Sequence, residues 1–366
     1  MLKHLLPALV LAAFGLVWST AAQAATTEPA RPALGKAKAK QRAAPPRSKA
    51  RSPLRASRPA KKQLAKKPLS KPAQPVAAAR PLADLQSRLT RPGDYRFAIE
   101  HEGRARTYRV HLPSGYNASE PAPLVVALHG GGLDPQGQRG VESLARESDR
   151  AGFIAVFPEA YKAPGKSAGS WNAGSCCGDA REQNVNDVGF IEAAVANVFR
   201  QASVARDQIY ATGMSDGGMM AYRLACERPH LFRAVASVGG TDNTASCTPD
   251  KPVSVLHIHA RNDPRVLFGG APAARPGVKP RAFKSAPETV SKWAKLDGCM
   301  EAPRPVLEQA GASCEAYSYC RGQAEVQLCV TDTGGHSWPG AAKSARDVPA
   351  APISATQAIW AFFSSH

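Results

Sequence analysis

Five consecutive residues, Gly213-Met214-Ser215-Asp216-Gly217, constrain the fold of this chain more than any other feature. They follow a short apolar run, Gln208-Ile209-Tyr210-Ala211-Thr212, and open a helix-like stretch from Gly218 to Cys226. A serine at the tip of so sharp a strand-to-helix turn takes a strained backbone, and side chains two residues to either side of it would collide. Glycine at 213 and 217 removes that collision. The segment therefore predicts a strand, a tight turn and a helix, with the Ser215 hydroxyl presented at the apex.

Charge is distributed very unevenly along the chain. Met1 to Ala24 has the form of a secretory signal peptide: Lys3 and His4, an apolar run from Leu5 to Trp18, and a closing Ala22-Gln23-Ala24. That run is short for a membrane span. Residues 25–91 carry 18 Lys and Arg against Glu28 and Asp84, so nearly all of the +18 net charge belongs there. Such a Lys/Arg/Pro/Ala segment buries too little apolar area to offset its ordering entropy and is expected to be disordered. Residues 92–366 are close to neutral and of the right length for one catalytic domain.

Within that domain, Tyr95–His101 and Arg104–Leu112 alternate as a hairpin around His101-Glu102-Gly103. Leu124–Leu128 and Phe153–Phe157 are continuous apolar runs, as strands covered on both faces should be. Val141–Ala151, Asp187–Phe199, Pro287–Leu296 and Ile353–Phe363 read as helices; Ala234–Val238 and Val253–Ile258 read as strands. Alternating strands and helices predict an α/β fold, a mainly parallel sheet with helices on both faces, with a small antiparallel excursion near 304–330.

The eight cysteines lie between Cys176 and Cys329 and, with the leader, point to an oxidising compartment, periplasmic or extracellular. If Ser313–Tyr319 and Ala324–Val330 form a hairpin, Cys314 faces Cys329 within bridging distance. Cys299 is then left to pair with Cys320. Because vicinal cysteines seldom bond each other, Cys176 and Cys177 are each expected to take one of Cys226 and Cys247. No cysteine or histidine spacing suits zinc, and no cofactor or metal is called for.

A strand–Gly-x-Ser-x-Gly–helix is the nucleophile elbow of α/β-hydrolases. A serine hydroxyl needs an imidazole to take its proton and a carboxylate to fix that imidazole's tautomer, supplied in the chain order Ser, Asp/Glu, His. Asp263 follows the strand ending His257-Ile258-His259 and is the expected acid. Asp242, after the preceding strand, and Asp297 are its competitors. His336, in the glycine-rich Thr333–Gly340 loop before the last helix, is the expected base. His257, His259 and His230 come too early in the chain. His129 belongs to a glycine-rich turn that it is expected to hold, and His101 and His111 fit a solvent-facing hairpin. For the oxyanion, the order of elements nominates the backbone N–H groups of Asp216 and Gly131, with Gly132 as a further donor. The Gly130-Gly131-Gly132 turn lacks the Lys-Ser/Thr of a phosphate loop.

With these elements in place, the chain from about Tyr95 onward resembles the secreted poly(3-hydroxybutyrate) depolymerase-like and feruloyl-esterase-like α/β-hydrolases. The resemblance rests on Trp171-Asn172-Ala173-Gly174, Cys176-Cys177-Gly178, Asp187-Val188-Gly189-Phe190-Ile191 and Tyr210–Cys226. It continues through His257-Ile258-His259, Asp263-Pro264, Phe268-Gly269-Gly270, Pro287-Glu288-Thr289-Val290 and Gly334–Gly340. It implies Ser215 as nucleophile, Asp263 as acid and His336 as base, in agreement with their positions. Asn186 replaces a more usual Asp, and His259-Ala260-Arg261-Asn262 a commoner His-Gly-Thr-Ala. The loop after Gly270 carries Arg275, Lys279, Arg281 and Lys284 beside the acid, where they would bear on substrate preference. Trp338, next to the base, either lines the acyl pocket or packs its loop.

The expected function is hydrolysis of carboxylic esters, of the hydroxyalkanoate, hydroxycinnamoyl or short acyl kind, by a secreted serine esterase. The substrate partner would be a small molecule, an oligomer or a polysaccharide-linked ester. A non-catalytic polyanion- or surface-binding protein on the same scaffold is the alternative; a peptidase of this fold is a third reading. Blocks such as Lys36-Ala37-Lys38-Ala39-Lys40 give the tail the means to bind an anionic cell-surface polymer through counterion release, or to act as a soluble spacer.

Overall fold

A computed structural model describes residues 88–132, 135–272, 282–300, 302–341 and 351–366. The expected leader, and the expected disordered segment up to residue 87, lie outside the described residues, as do Arg275, Lys279 and Arg281 of the basic loop. Everything described below falls in one compact unit, Arg80–His366.

The chain runs through β1 (Gly93–His101), β2 (Arg104–Leu112), β3 (Ala122–Leu128), α1 (Pro135–Ala151), β4 (Ile154–Pro158), α2 (Gly178–Glu182), α3 (Asp187–Gln201), β5 (Val204–Met214) and α4 (Asp216–Glu227). It continues through β6 (Ala234–Val238), β7 (Ser254–Ala260), β8 (Ala271–Pro272), β9 (Ala282–Phe283), α5 (Ala286–Leu296), β10 (Arg304–Gln309), β11 (Ala312–Tyr317), β12 (Val326–Thr331) and α6 (Ala355–Ser364). Among the described residues the main sheet has the order β1-β2-β4-β3-β5-β6-β7-β12-β11-β10. Its centre, from β4 to β12, is parallel throughout. This is the expected α/β architecture. No helix among the described residues is long and apolar enough to cross a membrane.

Period-two alternation along β3 divides the core. Leu124, Val126 and Leu128 point into one buried cluster with α3, α4 and α5; Val125 and Ala127 point into another with α1 and α6. Each fully buried Leu or Val contributes roughly 1.5–3 kcal/mol relative to exposure. The caps follow local chemistry. Asn186 Oδ1 accepts the Gly189 N–H at 2.9 Å to start α3, so Asn serves where an Asp is usual. Ser285 and Glu288 form a reciprocal capping box at α5.

The expected antiparallel excursion joins the same sheet: β12 pairs in parallel with β7, and β11 and β10 extend that edge antiparallel. Two expectations need correction. Neither His101 nor His111 faces solvent freely. His101 packs against Phe190 of α3, and His111 is buried between Asp94 and Asp149, 3.2 Å from each.

The second correction concerns disulfides. Cys314 opposes Cys329 across β11 and β12 and bridges to it, and Cys299 bridges to Cys320, as the hairpin requires. Cys176 and Cys177, however, bridge to each other, and Cys226 bridges to Cys247. The geometry of α4 explains why. Cys177 Sγ lies 3.9 Å from Met219 Sδ in the first turn of that helix, whereas Cys226 sits seven residues further along. Seven residues are about 10 Å of helix, beyond the reach of a bridge.

Candidate active site

Because the central strands are parallel, their C-terminal ends gather on one side of the sheet, where ligands bind in open α/β folds. Four connections that matter leave from there: 129–132 after β3, Ser215 after β5, Gly239–Gly240 after β6 and Asp263 after β7. The His336 loop follows β12 on the same side.

Ser215 has φ 56° and ψ −122°, left-handed backbone that costs a non-glycine residue about 1–3 kcal/mol. The turn is held by Ser215 N–H donating to Val238 O at 2.8 Å and Met219 N–H donating to Ser215 O at 2.9 Å. A side chain at 213 would approach the Gly217 carbonyl carbon to 2.5 Å, and one at 217 would approach His129 O to 2.5 Å. Both glycines are therefore sterically required, Gly213 by the turn itself, as the spacing suggested, and Gly217 by the end of β3.

Asp263 and His336 meet directly: His336 Nδ1 donates to Asp263 Oδ2 at 2.7 Å, and both are nearly fully buried. The other oxygen, Asp263 Oδ1, accepts the N–H groups of Arg265 (2.8 Å) and Val266 (3.0 Å). Burial alone would raise this carboxyl. Hydrogen bonds from His259 and His336, the charge of His336 and the Arg265 amide outweigh it and hold the acid well below the usual carboxylate range. The pair flanks Gly239, whose missing Cβ would lie 3.4 Å from Asp263 Oδ2 and 3.5 Å from His336 Nδ1. A side chain on the next residue, Gly240, would overlap Ser215 O. Two glycines after β6 thus let Ser215 approach from one side and the acid–imidazole pair from the other. Among the described residues, no hydrogen bond of Ser215 Oγ is found; the hydroxyl–imidazole link is the one the geometry leaves open.

The competitors are occupied elsewhere. Asp242 Oδ2 accepts Lys292 Nζ (2.5 Å) and Trp293 Nε1 (3.1 Å), and Oδ1 accepts the Thr244 N–H (2.8 Å) and hydroxyl (2.7 Å). Asp297 lies beneath Val253, whose N–H reaches it at 3.2 Å, and burial pushes it up to about 7. His129 holds its turn as expected: its Nε2 accepts the Ala160 N–H at 3.1 Å, which leaves Nδ1 to donate to Gly130 O at 2.9 Å.

The Gly130–Gly132 turn lies against the elbow. A Cβ on Gly130 would stand 3.5 Å from Ser215 Cβ, and one on Gly131 would stand 2.5 Å from Asp216 Oδ2. The Asp216 side chain, which no local pattern singles out, is buried there with no hydrogen-bond partner for Oδ1 among the described residues. Burial raises it to about 7, against the lowering effect of the Trp171, Gly131 and Gly217 amides. Trp338 does not line an acyl pocket. It is buried among Val141, Ile353 and Ile359, its Nε1 donates to Thr356 Oγ1 at 2.9 Å, and a side chain at Gly140 would overlap it. Of the two readings of Trp338, packing is the one realised.

Sequence order also hid a buried chain behind the acid. Tyr222 OH lies 2.8 Å from His257 Nδ1, His257 Nε2 lies 2.9 Å from His259 Nδ1, and His259 Nε2 lies 2.7 Å from Val266 O and 3.4 Å from Asp263 Oδ2. Burial, with the nearby His259, pushes His257 well below the usual imidazole value. The available signal was the His-x-His spacing, which puts both rings on one face of a strand two residues apart.

Comparison with known proteins agrees with this architecture. The model of the family described as esterase PHB depolymerase matches residues 106–296. The putative esterase NocK of Nocardia uniformis subsp. tsuyamanensis is 33% identical over 253 residues, covering 65% of this chain and 72% of that protein. Feruloyl esterase B of Piromyces equi is 30% identical over 235 residues, covering 62% of this chain but 42% of its own length. The acetyl xylan esterase of Aspergillus awamori superposes with a TM-score of 0.49 at 16% identity, covering 67% of this chain and 95% of that one. The chain belongs to the esterase PHB depolymerase family of α/β-hydrolases and is a carboxylic-ester hydrolase.

Proposed function

We infer that hydrolysis proceeds through an acyl-enzyme on Ser215, with His336 as general base and acid and Asp263 as its orienting carboxylate. The observation that carries this reading is the 2.7 Å hydrogen bond from His336 Nδ1 to Asp263, beside Gly239, whose neighbour Gly240 abuts Ser215. Since Nδ1 carries the proton given to Asp263, the neutral ring offers Nε2 as the base. On this reading the Ser215 hydroxyl donates to that nitrogen. Oγ then attacks the ester carbonyl carbon as its proton passes to Nε2. The C–O bond to the alcohol breaks, and Nε2 returns the proton to the departing oxygen. Water repeats the sequence, releasing the acid and restoring Ser215. The backbone N–H of Asp216 receives the oxyanion, a donor worth about 3 kcal/mol in such sites; the Gly131 N–H, the second donor nominated, is directed at the Asp216 carboxyl and must turn from it to join.

The substrate class is a hydroxyalkanoate, hydroxycinnamoyl or short acyl ester, in line with relatives named feruloyl esterase and acetylxylan esterase. Export is supported by the leader-like residues 1–24 and by the pairing of all eight cysteines. On this reading, 25–91 is a linker and 92–366 the catalytic domain. Tail binding to an anionic polymer rests on charge alone and should weaken steeply with added salt.

Ser215→Ala tests the reading. It should abolish p-nitrophenyl butyrate hydrolysis and labelling by a fluorophosphonate probe while leaving the melting transition in place; retained turnover would refute the nucleophile. A panel of methyl ferulate, hydroxybutyrate oligomers and acetylated xylan then ranks the substrate classes.

A further inference from the structure

Behind Asp263, three side chains from two elements make an unbroken polar thread through the core. Tyr222 of α4 and His257 and His259 of β7 are all essentially inaccessible to solvent. The two imidazoles stack with centroids 5.2 Å apart, and Phe268 closes over His259 edge-on at 5.9 Å. Trp293 of α5 flanks Tyr222 at 5.8 Å. The charged groups bordering the thread are Asp242, near Tyr222 and neutralised by Lys292, and Asp263 at the other end. A buried polar series of this length is costly unless every member is satisfied.

Its hydrogens are fixed from one end. Val266 O is an acceptor only, so His259 Nε2 must carry a hydrogen. With His259 neutral, its Nδ1 is an acceptor, and the hydrogen between the rings belongs to His257 Nε2. His257 Nδ1 is then an acceptor and takes the Tyr222 hydroxyl hydrogen. Every polar atom along the thread is matched, and no buried charge is created. A cationic His259 would instead add a second positive charge at a carboxylate already shared with His336.

We propose that Tyr222, His257 and His259 form a one-directional, uncharged hydrogen-bond chain that sets the position of the Asp263 carboxylate, making His259 a positioning residue for ester hydrolysis. The inference rests on the reading of Asp263 and His336 given above. Oδ2 receives the His336 hydrogen at 2.7 Å and lies 3.4 Å from His259 Nε2, whose hydrogen goes to Val266 O, while Oδ1 is held by two backbone amides, one of them that of Val266. A neutral ring that braces Val266 beneath the carboxylate positions it without cancelling the negative charge that the imidazolium of His336 requires during turnover. Tyr222 and His257 act one step further back, by keeping the His259 ring in the tautomer and rotation that point Nε2–H at Val266 O, the carbonyl of the residue whose amide holds Asp263 Oδ1.

The test compares His259→Leu, His259→Gln, Tyr222→Phe and Ser215→Ala with the unaltered full-length chain on p-nitrophenyl butyrate. His259→Leu should lower kcat between about tenfold and a hundredfold with KM nearly unchanged, the mark of a misplaced acid rather than a damaged pocket. The Gln amide nitrogen stands near the place of Nε2, so His259→Gln should recover most of that loss. Tyr222→Phe should lower kcat several-fold. Nitrogen-15 imidazole spectra of the unaltered protein should show residues 257 and 259 as neutral Nε2–H tautomers at pH 7. This measurement, with Tyr222→Phe, decides the matter if His259→Leu does not fold. Unchanged kcat in a folded His259→Leu, equal losses in the Leu and Gln variants, or a charged or Nδ1–H ring at either position would overturn the proposal. Activity remaining in Ser215→Ala would instead sink the esterase mechanism itself, so the two failures are distinguishable.

Discussion

Arg106 Nη2 and Asp187 Oδ1 form an ion pair of 2.7 Å whose side chains are 4% and 0% exposed. It joins β2 to the first turn of α3. The second carboxylate oxygen accepts the Asn172 N–H at 2.7 Å, so the same residue anchors the loop that carries Trp171 to the elbow. Burial raises the Asp187 pKa, opposed by the Arg106 charge, the Asn172 amide and the Arg106 hydrogen bond.

Removing the cation should therefore be costly. Arg106→Met leaves a buried, unpaired carboxyl and should destabilise the fold by about 3–5 kcal/mol. Urea unfolding followed by circular dichroism reads this as a lower midpoint at constant slope. A change under about 1 kcal/mol would mean that the pair contributes little.

Asp216 should make stability depend on pH in an unusual direction. A carboxyl raised from 3.8 to about 7 binds its proton more tightly when folded, so its contribution is favourable at low pH and is lost as pH rises between those values. Asp216→Asn removes the ionisation. Relative to the unaltered protein it should gain stability between pH 4 and pH 8, by up to about 4 kcal/mol. Parallel denaturation curves at the two pH values check the sign; a difference independent of pH would rule the ionisation out.

Asp263 and Asp242 should separate catalysis from structure. Asp263→Asn keeps the shape but offers the wrong hydrogen-bonding group to His336 Nδ1 and should lower kcat by roughly 10³–10⁴ with little effect on KM. Asp242→Asn should lower the melting temperature, because it weakens the grip on Lys292 and Trp293, yet leave kcat within about threefold of the original. The opposite pattern would move the acid to residue 242.

Trp338 and the hairpin bridge concern packing alone. Trp338→Ala should cost about 3–5 kcal/mol and leave the ratio of rates on acetate, butyrate and octanoate esters unchanged. A shifted chain-length profile would return the indole to the acyl pocket. Replacing Cys314 and Cys329 together by Ser opens a loop with a sequence separation of 15, a loss of roughly 3 kcal/mol, with activity at 25 °C retained.

Much of this site was written in local sequence. Gly213 is needed because its backbone touches that of Gly217 across one turn, a constraint that acts over five residues, whereas Gly217 is needed because the end of β3 abuts it. The Asp263 and His336 loops were identifiable because the order of strands fixes which loops reach the same edge of a parallel sheet. The Cys314–Cys329 pair followed from hairpin register, again a short-range relation.

What escaped the sequence depends on which side chains meet across elements. Nothing local distinguishes the Asp216 carboxylate, whose character comes from burial against a loop some 85 residues earlier in the chain. The bridges of Cys176, Cys177, Cys226 and Cys247 are set by which turn of α4 each loop reaches, and the packing role of Trp338 by the meeting of α1 with α6. His257 and His259 look like surplus histidines until Tyr222 and Val266 supply their partners. Sequence determines this fold's turns, periodicities and chain order because those are short-range steric facts. Tertiary structure alone decides which buried polar atoms find partners, because desolvation and hydrogen bonding depend on neighbours that the chain brings together only when folded.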